Sequence, residues 1–461
     1  MNREHATNVG VRKFALLFLG CLLFHVAGTW SLPLIDRDEP RFAEASREMR
    51  QRGDYVVPYF NNRYRFDKPP LTYWGQIASY RLFGENDFAA RLPSAIAAAL
   101  TALILFAWGR RSVSERAGWW AALIFSLCLQ TFLHARAAVA DMWLVFFMTA
   151  AHWAGYELLR DRLTADRPTP NLAPRTVPGE TIARRWWWLF YCALALAFLA
   201  KGPIGWMPLL TLALTKAFVP GLQLRRRFLF ITGALFTLSL VALWGIPALT
   251  RTEGLFLEVG IGKHVIGRSL ATMEGHGGNS LLSYLATLPF YFVLVFLSFA
   301  PWSVKLPWLT RKLWRQRDPL DAYLLSGVLV IFLVFTLVKT KLPHYTLPAF
   351  PLLALLLAKA LADLPDATRF VRRTALAGGI AAFFALALFP VVAHYSPTLQ
   401  LLRAARLDLR PEMEIGALEY REPSLVWYFR KYVRGWLVNL DADSLPAYFA
   451  KPGARLAIMS T

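Results

Sequence analysis

Long apolar blocks broken by short polar stretches set the rhythm of this chain. Each block runs about 18 to 22 residues, the length a helix needs to cross the hydrocarbon core of a bilayer. The blocks fall from Phe14 to Leu34 and then at 92–109, 118–134, 138–157, 186–200, 203–219, 228–249, 281–300, 320–338, 345–362 and 374–395. They predict an all-α polytopic membrane protein of about eleven transmembrane helices. The first block follows Arg12 and Lys13 as a signal peptide's would. It is long and lacks a small-residue cleavage site, so it reads as a retained span.

The pattern changes after 395. Strand-like and helix-like runs alternate: Ile415 to Tyr420, Ser424 to Lys431, Gly435 to Leu440, Ser444 to Ala450 and Arg455 to Met459. The expected organisation is therefore a membrane domain over 1–395 with a large outer loop at 35–91, and a small α/β domain over 396–461. That domain is either minimal or cut short. The stretch from Arg160 to Arg185, with Pro168, Pro170, Pro174 and Pro178, has no apolar periodicity and reads as a linker.

Charge fixes the expected orientation. With the N-terminus in the cytoplasm, the inner segments gather Arg110, Arg111 and Arg116, then Arg225, Arg226 and Arg227, then Arg311, Lys312, Arg315 and Arg317. The short outer turns hold only Arg136, Lys201, Lys339 and Lys341, as the positive-inside rule requires. The reading is a multi-pass inner-membrane protein with the first loop and the tail in the periplasm. A formal net charge of +21 would suggest nucleic acid in a soluble protein. Here cytoplasmic arginines beside anionic lipid account for most of it, and no nucleic-acid partner is expected. Arg37, Arg41, Arg63, Arg65 and Lys68 face the other leaflet, where an anionic substrate is the simpler reason. Cys21, Cys128 and Cys192 all fall within apolar blocks, so no disulfide is expected.

Candidate chemistry concentrates in the first loop. Asp38-Glu39-Pro40-Arg41 looks like a helix start with an acidic cap, and Asp38 lies just beyond the first span, where the polar head of a lipid-linked substrate would sit. Phe66-Asp67-Lys68-Pro69-Pro70-Leu71 presents a carboxylate and an ammonium on a backbone stiffened by two prolines. Lysine is a compact cation suited to a phosphate oxygen. Asp141 lies near the boundary of the fourth block, where an unpaired carboxylate costs free energy. Lys339, Lys341, His344 and Tyr345 stand at an outer turn, as interface anchors or as holders of a phosphate. His264 and Arg268 share Gly262-Lys263-His264-Val265-Ile266-Gly267-Arg268, and His276 follows. No local pair has metal spacing, so a metal would need Asp67 or Glu274 brought in by the fold.

Asp-Glu-Pro-Arg-Phe-Ala-Glu, Gly-Asp-Tyr-Val-Val-Pro, Phe-Asp-Lys-Pro-Pro-Leu-Thr-Tyr-Trp, Phe-Gly-Glu-Asn-Asp-Phe-Ala-Ala-Arg-Leu-Pro-Ser and Lys-Leu-Pro-His-Tyr-Thr-Leu-Pro together resemble the bacterial aminoarabinose transferases that modify lipid A. These belong with the protein mannosyltransferase-like enzymes of the membrane-embedded C-type glycosyltransferase fold. The likeness runs from residue 30 to about 360 and is most specific in the first loop. It implies transfer of a sugar from a polyprenyl-phosphate carrier to lipid A or another envelope acceptor. It implies Asp38 and Asp141 as the catalytic carboxylates. Arg41, Lys68, Arg268, Lys339, Lys341 and Tyr345 become substrate-binding candidates, with Lys68 at the carrier phosphate. His264 with Asp67, where the family usually has glutamate, would bind zinc.

The implied chemistry suits those residue types. A departing polyprenyl phosphate needs its charge stabilised, and an acceptor hydroxyl needs a base near its proton. No Gly-rich dinucleotide turn and no exposed Asp-x-Asp pair points to a soluble sugar nucleotide. Two other readings stand beside this one: a protein or glycan acceptor on the same fold, and a polyprenyl-lipid transporter. A transporter would show repeat-related halves, and no repeat is found.

Overall fold

The computed structural model describes residues 2–163, 180–219, 221–267 and 281–459. The chain is mostly helical, and the predicted apolar blocks fall largely on helices, though the first, Phe14 to Leu34, is helical only as far as Val26. Among the described residues five helices are long and apolar enough to cross a membrane: Asp87–Ser112, Phe230–Arg251, Pro319–Leu337, Pro343–Ala362 and Ala367–His394. A sixth follows if Leu282–Ser298 and Trp302–Arg315, bent by 113°, form one span. Several of the remaining blocks are interrupted. Glu115–Leu127 ends at an extended Cys128 before Leu129–His134 resumes, and Met207–Phe218 follows the 3-10 turn Pro203–Trp206.

Helices α1 (Asn2–Val26), α2 (Asp38–Arg52), α3 (Leu71–Phe83), α4 (Asp87–Ser112), α5 (Glu115–Leu127), α6 (Leu129–His134), α7 (Asp141–Leu163) and α8 (Glu180–Lys201) carry or support the site. The central α4 packs against α1, α3, α5 and α7. It reaches α5 at a crossing that only glycine allows. A Cβ on Gly109 would stand 2.7 Å from the Gly118 Cα, and one on Gly118 would stand 2.5 Å from the Phe106 carbonyl oxygen. Small residues let two backbones approach, the usual route to tight helix contact in lipid.

The bundle has two distinct ends. At one, Arg111 pairs with Glu157 at 2.8 Å, Lys13 with Glu115 at 2.5 Å and Lys312 with Asp363 at 2.8 Å. At the other lie the first residue of α7, the last of α8 and the first loop. There β1 (Tyr59–Phe60) and β2 (Arg63–Tyr64) form a small antiparallel hairpin. Its turn, Asn61-Asn62, has φ of 51° and 62°, a left-handed pair that asparagine tolerates and that suits a two-residue hairpin.

Residues after 413 build a parallel three-stranded sheet of order β4 (Val438–Leu440), β3 (Glu414–Leu418), β5 (Arg455–Met459). The helices Pro423–Phe429 and Leu445–Ala450 fill the crossovers. These elements lie within a few residues of the predicted runs. The unit does not fold around its own core alone. Leu425, Val426, Trp427 and Ile415 share one apolar cluster with Ala43 of α2, Tyr80 of α3 and Ala89 and Ala90 of α4. Polar contacts close the joint: Trp427 Nε1 and the Tyr428 hydroxyl donate to the two Asp87 oxygens at 2.8 and 2.7 Å.

Candidate active site

A cavity of about 520 Å³ opens where the first loop, α6, α7, α8, the Leu342–Tyr345 turn and the C-terminal sheet unit meet. Its polar lining includes Asp38, Arg41, Arg65, Asp67, Lys68 and Asp141. Phe42, Phe60, Phe66, Val259 and Leu342 supply apolar wall beside them. Charged groups and greasy surface share one enclosure, as an amphiphilic ligand requires.

Asp38 stands at the first position of α2, not at its cap. Arg37 is the N-cap, and no side-chain hydrogen bond closes the helix start, so the expected acidic cap is corrected. The Asp38 carboxylate is therefore not consumed in holding the helix, and it is exposed to the cavity. Its neighbour does the holding. Glu39 is buried and takes Arg91 Nε and Nη2 at 2.8 and 2.7 Å, the Ala138 N–H at 2.7 Å and the Ile35 N–H at 2.7 Å. Arg91 also donates to the carbonyls of Thr29 at 3.0 Å and Pro33 at 2.8 Å. One buried ion pair thus fixes the chain before Asp38 and the turn before Asp141 to the same helix, α4.

Lys68 and Asp67 are presented by the diproline. Pro69 and Pro70 are buried, and α3 begins directly after them at Leu71. The Lys68 ammonium donates to Asp67 Oδ1 at 2.8 Å, and Arg65 donates to Oδ2 at 3.1 Å. Arg65 is held in turn by the Tyr73 hydroxyl at 3.2 Å and lies 5.1 Å from the Phe42 ring centre. Burial opposes the Arg65 charge, but Tyr73 and Asp67 outweigh it and leave its pKa raised. Burial also pushes the Tyr73 phenol up to about 12, so it stays a neutral donor or acceptor. The result is a rigid cationic ledge, with Asp67 clamped between two cations.

Asp141 opens α7 and meets Lys201, the last residue of α8, at 2.6 Å. His344 Nε2 lies 3.8 Å from the same oxygen, and the His134 and His344 rings stand 4.9 Å apart. Gln130 holds His134 Nδ1 at 3.0 Å. Tyr345 reaches the cavity beside them, with Lys201 5.6 Å from its ring centre. His134, Asp141 and His344 offer ligand atoms within 4.8 Å of one another, a set the sequence reading did not assemble. Lys201 already compensates the Asp141 charge, so the cluster is electrically satisfied by the chain itself.

Of the predicted residues, Asp38, Arg41, Asp67, Lys68, Asp141 and Tyr345 line one cavity. Lys341 does not join them, and its assignment is corrected. Its buried ammonium donates to the carbonyls of Phe335 at 3.0 Å, Thr336 at 2.5 Å and Val338 at 2.6 Å, at the C-terminus of Pro319–Leu337. A cation there satisfies orphan carbonyls and complements the helix dipole. Lys339 is exposed and is not part of the lining. Arg268 and His276 lie outside the described residues, as does the His264 side chain. Asp67, expected as a metal ligand, pairs with both Arg65 and Lys68. Lys201, His134, Arg421 and Asn439 line the cavity but were not picked out as functional from the sequence. Lys201 looked like one more interfacial lysine, and only its meeting with Asp141 sets it apart.

The family model for dolichyl-phosphate-mannose-protein mannosyltransferase matches residues 67–166. The chain is 31% identical over 384 residues to the undecaprenyl phosphate-alpha-4-amino-4-deoxy-L-arabinose arabinosyl transferase of Aeromonas salmonicida, covering 81% of this chain and 64% of that one. It is 31% identical over 353 residues to the enzyme of the same name from Aeromonas hydrophila, covering 74% and 59%. This chain thus spans about six tenths of the length of these curated relatives. Its fold matches the crystal structure of ArnT from Cupriavidus metallidurans bound to undecaprenyl phosphate, with a TM-score of 0.78 at 20% identity over 97% of this chain and 93% of that one.

Proposed function

Because the chain is an aminoarabinose transferase-like protein in sequence and has the ArnT fold, we propose that it moves a sugar from a polyprenyl-phosphate carrier to an envelope acceptor such as lipid A. The proposed setting is the inner membrane, crossed about eleven times, with the cavity and the C-terminal unit on the periplasmic side. The observation that carries the reading is the single cavity holding Asp38, Lys68, Asp141 and Tyr345 beside an apolar wall.

In this reading the carrier phosphate sits on the ledge of Lys68 and Arg65, and the polyprenyl tail follows the apolar side. Asp38 accepts the proton of the acceptor hydroxyl as its oxygen bonds to the anomeric carbon. The bond from that carbon to the phosphate oxygen breaks at the same time, and both electrons leave with the polyprenyl phosphate. The cationic ledge stabilises this leaving charge, which grows during the reaction and so favours the transition state over the bound donor. Attack from the face opposite the phosphate inverts the anomeric centre. Asp141, held by Lys201, sits where it can orient the sugar or its amine. Zinc, if bound, would be held by Asp67 and His264 and would supply further positive charge beside Lys68.

The test is reconstitution in vesicles with a polyprenyl-phosphate aminosugar and lipid A, read by mass spectrometry. The expected product is lipid A heavier by one pentosamine. A modified peptide or glycan with unmodified lipid A would move the assignment to a different acceptor on the same fold, and carrier translocation without transfer would overturn it.

A further inference from the structure

The helix Leu306–Arg315, second arm of the bent pair, is strongly two-sided. Leu306, Leu309 and Leu313 are buried, while Arg311, Trp314 and Arg315 are exposed, Trp314 at 85%. The chain turns by 113° between Leu282–Ser298 and Trp302–Arg315, and a groove of about 670 Å³ lies between these arms, Pro319–Leu337 and Pro343–Ala362. Its walls are apolar: Phe292 and Phe296 of the first arm, Leu309 and Leu313 of the second, Val328 and Leu353 behind them. The cations of the second arm differ in what they already hold. Lys312 is committed to Asp363 at 2.8 Å and to the Ala360 carbonyl at 3.1 Å, at the end of the bundle away from the active-site cavity. Arg311 and Arg315 border the groove, and neither has a carboxylate within 4.0 Å among the described residues. They stand about one helical turn apart on one face, where like charges repel unless an anion lies between them.

An apolar groove rimmed by two unmatched guanidiniums is complementary to a molecule with an acyl chain and an anionic head. We propose that it is a discrete site for one anionic phospholipid of the leaflet at that end, which is cytoplasmic in the orientation proposed above. The lipid phosphate takes Arg311 and Arg315, whose forks can each give it two parallel hydrogen bonds, and one acyl chain lies along the groove. The exposed Trp314 indole suits the level of the glycerol, between polar heads and hydrocarbon. A zwitterionic head would bring its own ammonium beside the arginines and lose part of the attraction. Basic loops draw anionic lipid in general, but a walled seat for the chain sets this site apart by fixing both position and stoichiometry. The carrier is not the occupant, since no residue lining the active-site cavity lines this groove.

The test is native mass spectrometry of the detergent-purified full chain, titrated with phosphatidylglycerol or with phosphatidylethanolamine of the same acyl chains, reading the affinity of the first lipid bound. Wild type should prefer phosphatidylglycerol. The double variant Arg311→Ala/Arg315→Ala should weaken phosphatidylglycerol binding by about tenfold to a hundredfold, the loss of charge-assisted hydrogen bonds, and erase the preference. Arg311→Lys/Arg315→Lys should recover part of the loss. Val328→Trp, which fills the groove, should weaken phosphatidylglycerol binding with both arginines in place. Arg372→Ala/Arg373→Ala removes the same charge from exposed positions of Ala367–His394 that do not line the groove, and should change nothing. Equal wild-type affinity for the two lipids, equal losses in the two alanine pairs, or binding untouched by Val328→Trp would each overturn the site. No readout involves sugar transfer, so the site and the transfer reading can fail separately.

Discussion

Two sets of charged residues on α2 serve opposite ends. Glu39, Glu44, Arg47 and Glu48 are all buried and all paired. Glu44 meets both Arg47 and Arg430, and Arg47 also donates to the Trp427 carbonyl at 3.1 Å and stacks 4.6 Å from its ring centre. Asp38 and Arg41, in the first turn, line the cavity, and neither has an ion-pair partner within 4.0 Å among the described residues. Saturated charges define where the helix sits; open ones are left for a ligand. A buried charge that loses its partner costs stability, whereas an exposed one that changes costs only chemistry.

The largest expected effect tests the cavity-lining set. Asp38→Asn should lower the transfer rate about 10²–10⁴-fold, the range for a lost general base, while the melting midpoint in detergent stays at the wild-type value. A comparable fall in melting midpoint would mean that Asp38 belongs with the structural set. Arg91→Ala tests the paired set and should do the reverse, destabilising the fold by about 3–5 kcal/mol through an uncompensated buried Glu39. Retention of a normal melt would show that Glu39 is not buried as described.

Glu48 gives the comparison a pH axis. Burial and the Glu44 carboxylate push Glu48 up to about 7. The folded state therefore holds a proton there that the unfolded chain releases near its ordinary value of 4.5. Stability should fall as pH rises from about 4.5 to about 7, because the folded form binds more protons across that window. The melting difference between wild type and Glu48→Gln, measured at pH 5 and pH 8, should shift toward the variant at the higher pH. A difference independent of pH would place the Glu48 carboxylate in its ordinary range. The smallest effect concerns Lys341. Lys341→Met should cost about 1 kcal/mol in stability and leave the donor KM unchanged. A raised donor KM would return Lys341 to the substrate-binding set.

Much of this was legible in the sequence because local rules govern it. Apolar block length marked the helices, and the strand and helix runs after 413 appeared within a few residues of where they form. The diproline marked the turn that carries Lys68, and both Lys68 and Asp38 line the cavity. Partnership across the chain was not legible. Nothing local distinguishes Glu39, which holds the loop in place, from Asp38, which faces the cavity, one residue away. Lys341 and Lys201 both read as interfacial lysines. The first is folded back onto three carbonyls and the second meets a carboxylate 60 residues earlier. The α2 cap failed for a similar reason: Asp38 was one place late, and Arg37 occupies the capping position.

In the β1–β2 hairpin turn, the Asn61 amide donates to the Leu437 carbonyl at 2.8 Å and Asn61 Oδ1 accepts the Leu437 N–H at 3.0 Å, a clasp between residues 376 positions apart. Ribosomes deliver the first loop early and β4 almost at the end of this chain, so the cavity acquires its second wall only after every intervening helix has been threaded into the bilayer. A nascent chain therefore completes the Asp38 and Lys68 side of the cavity well before the side that carries Asn439. Chains truncated before Glu414 should leave the cavity open on that side, with Asn61 and Asp87 deprived of the partners that close it.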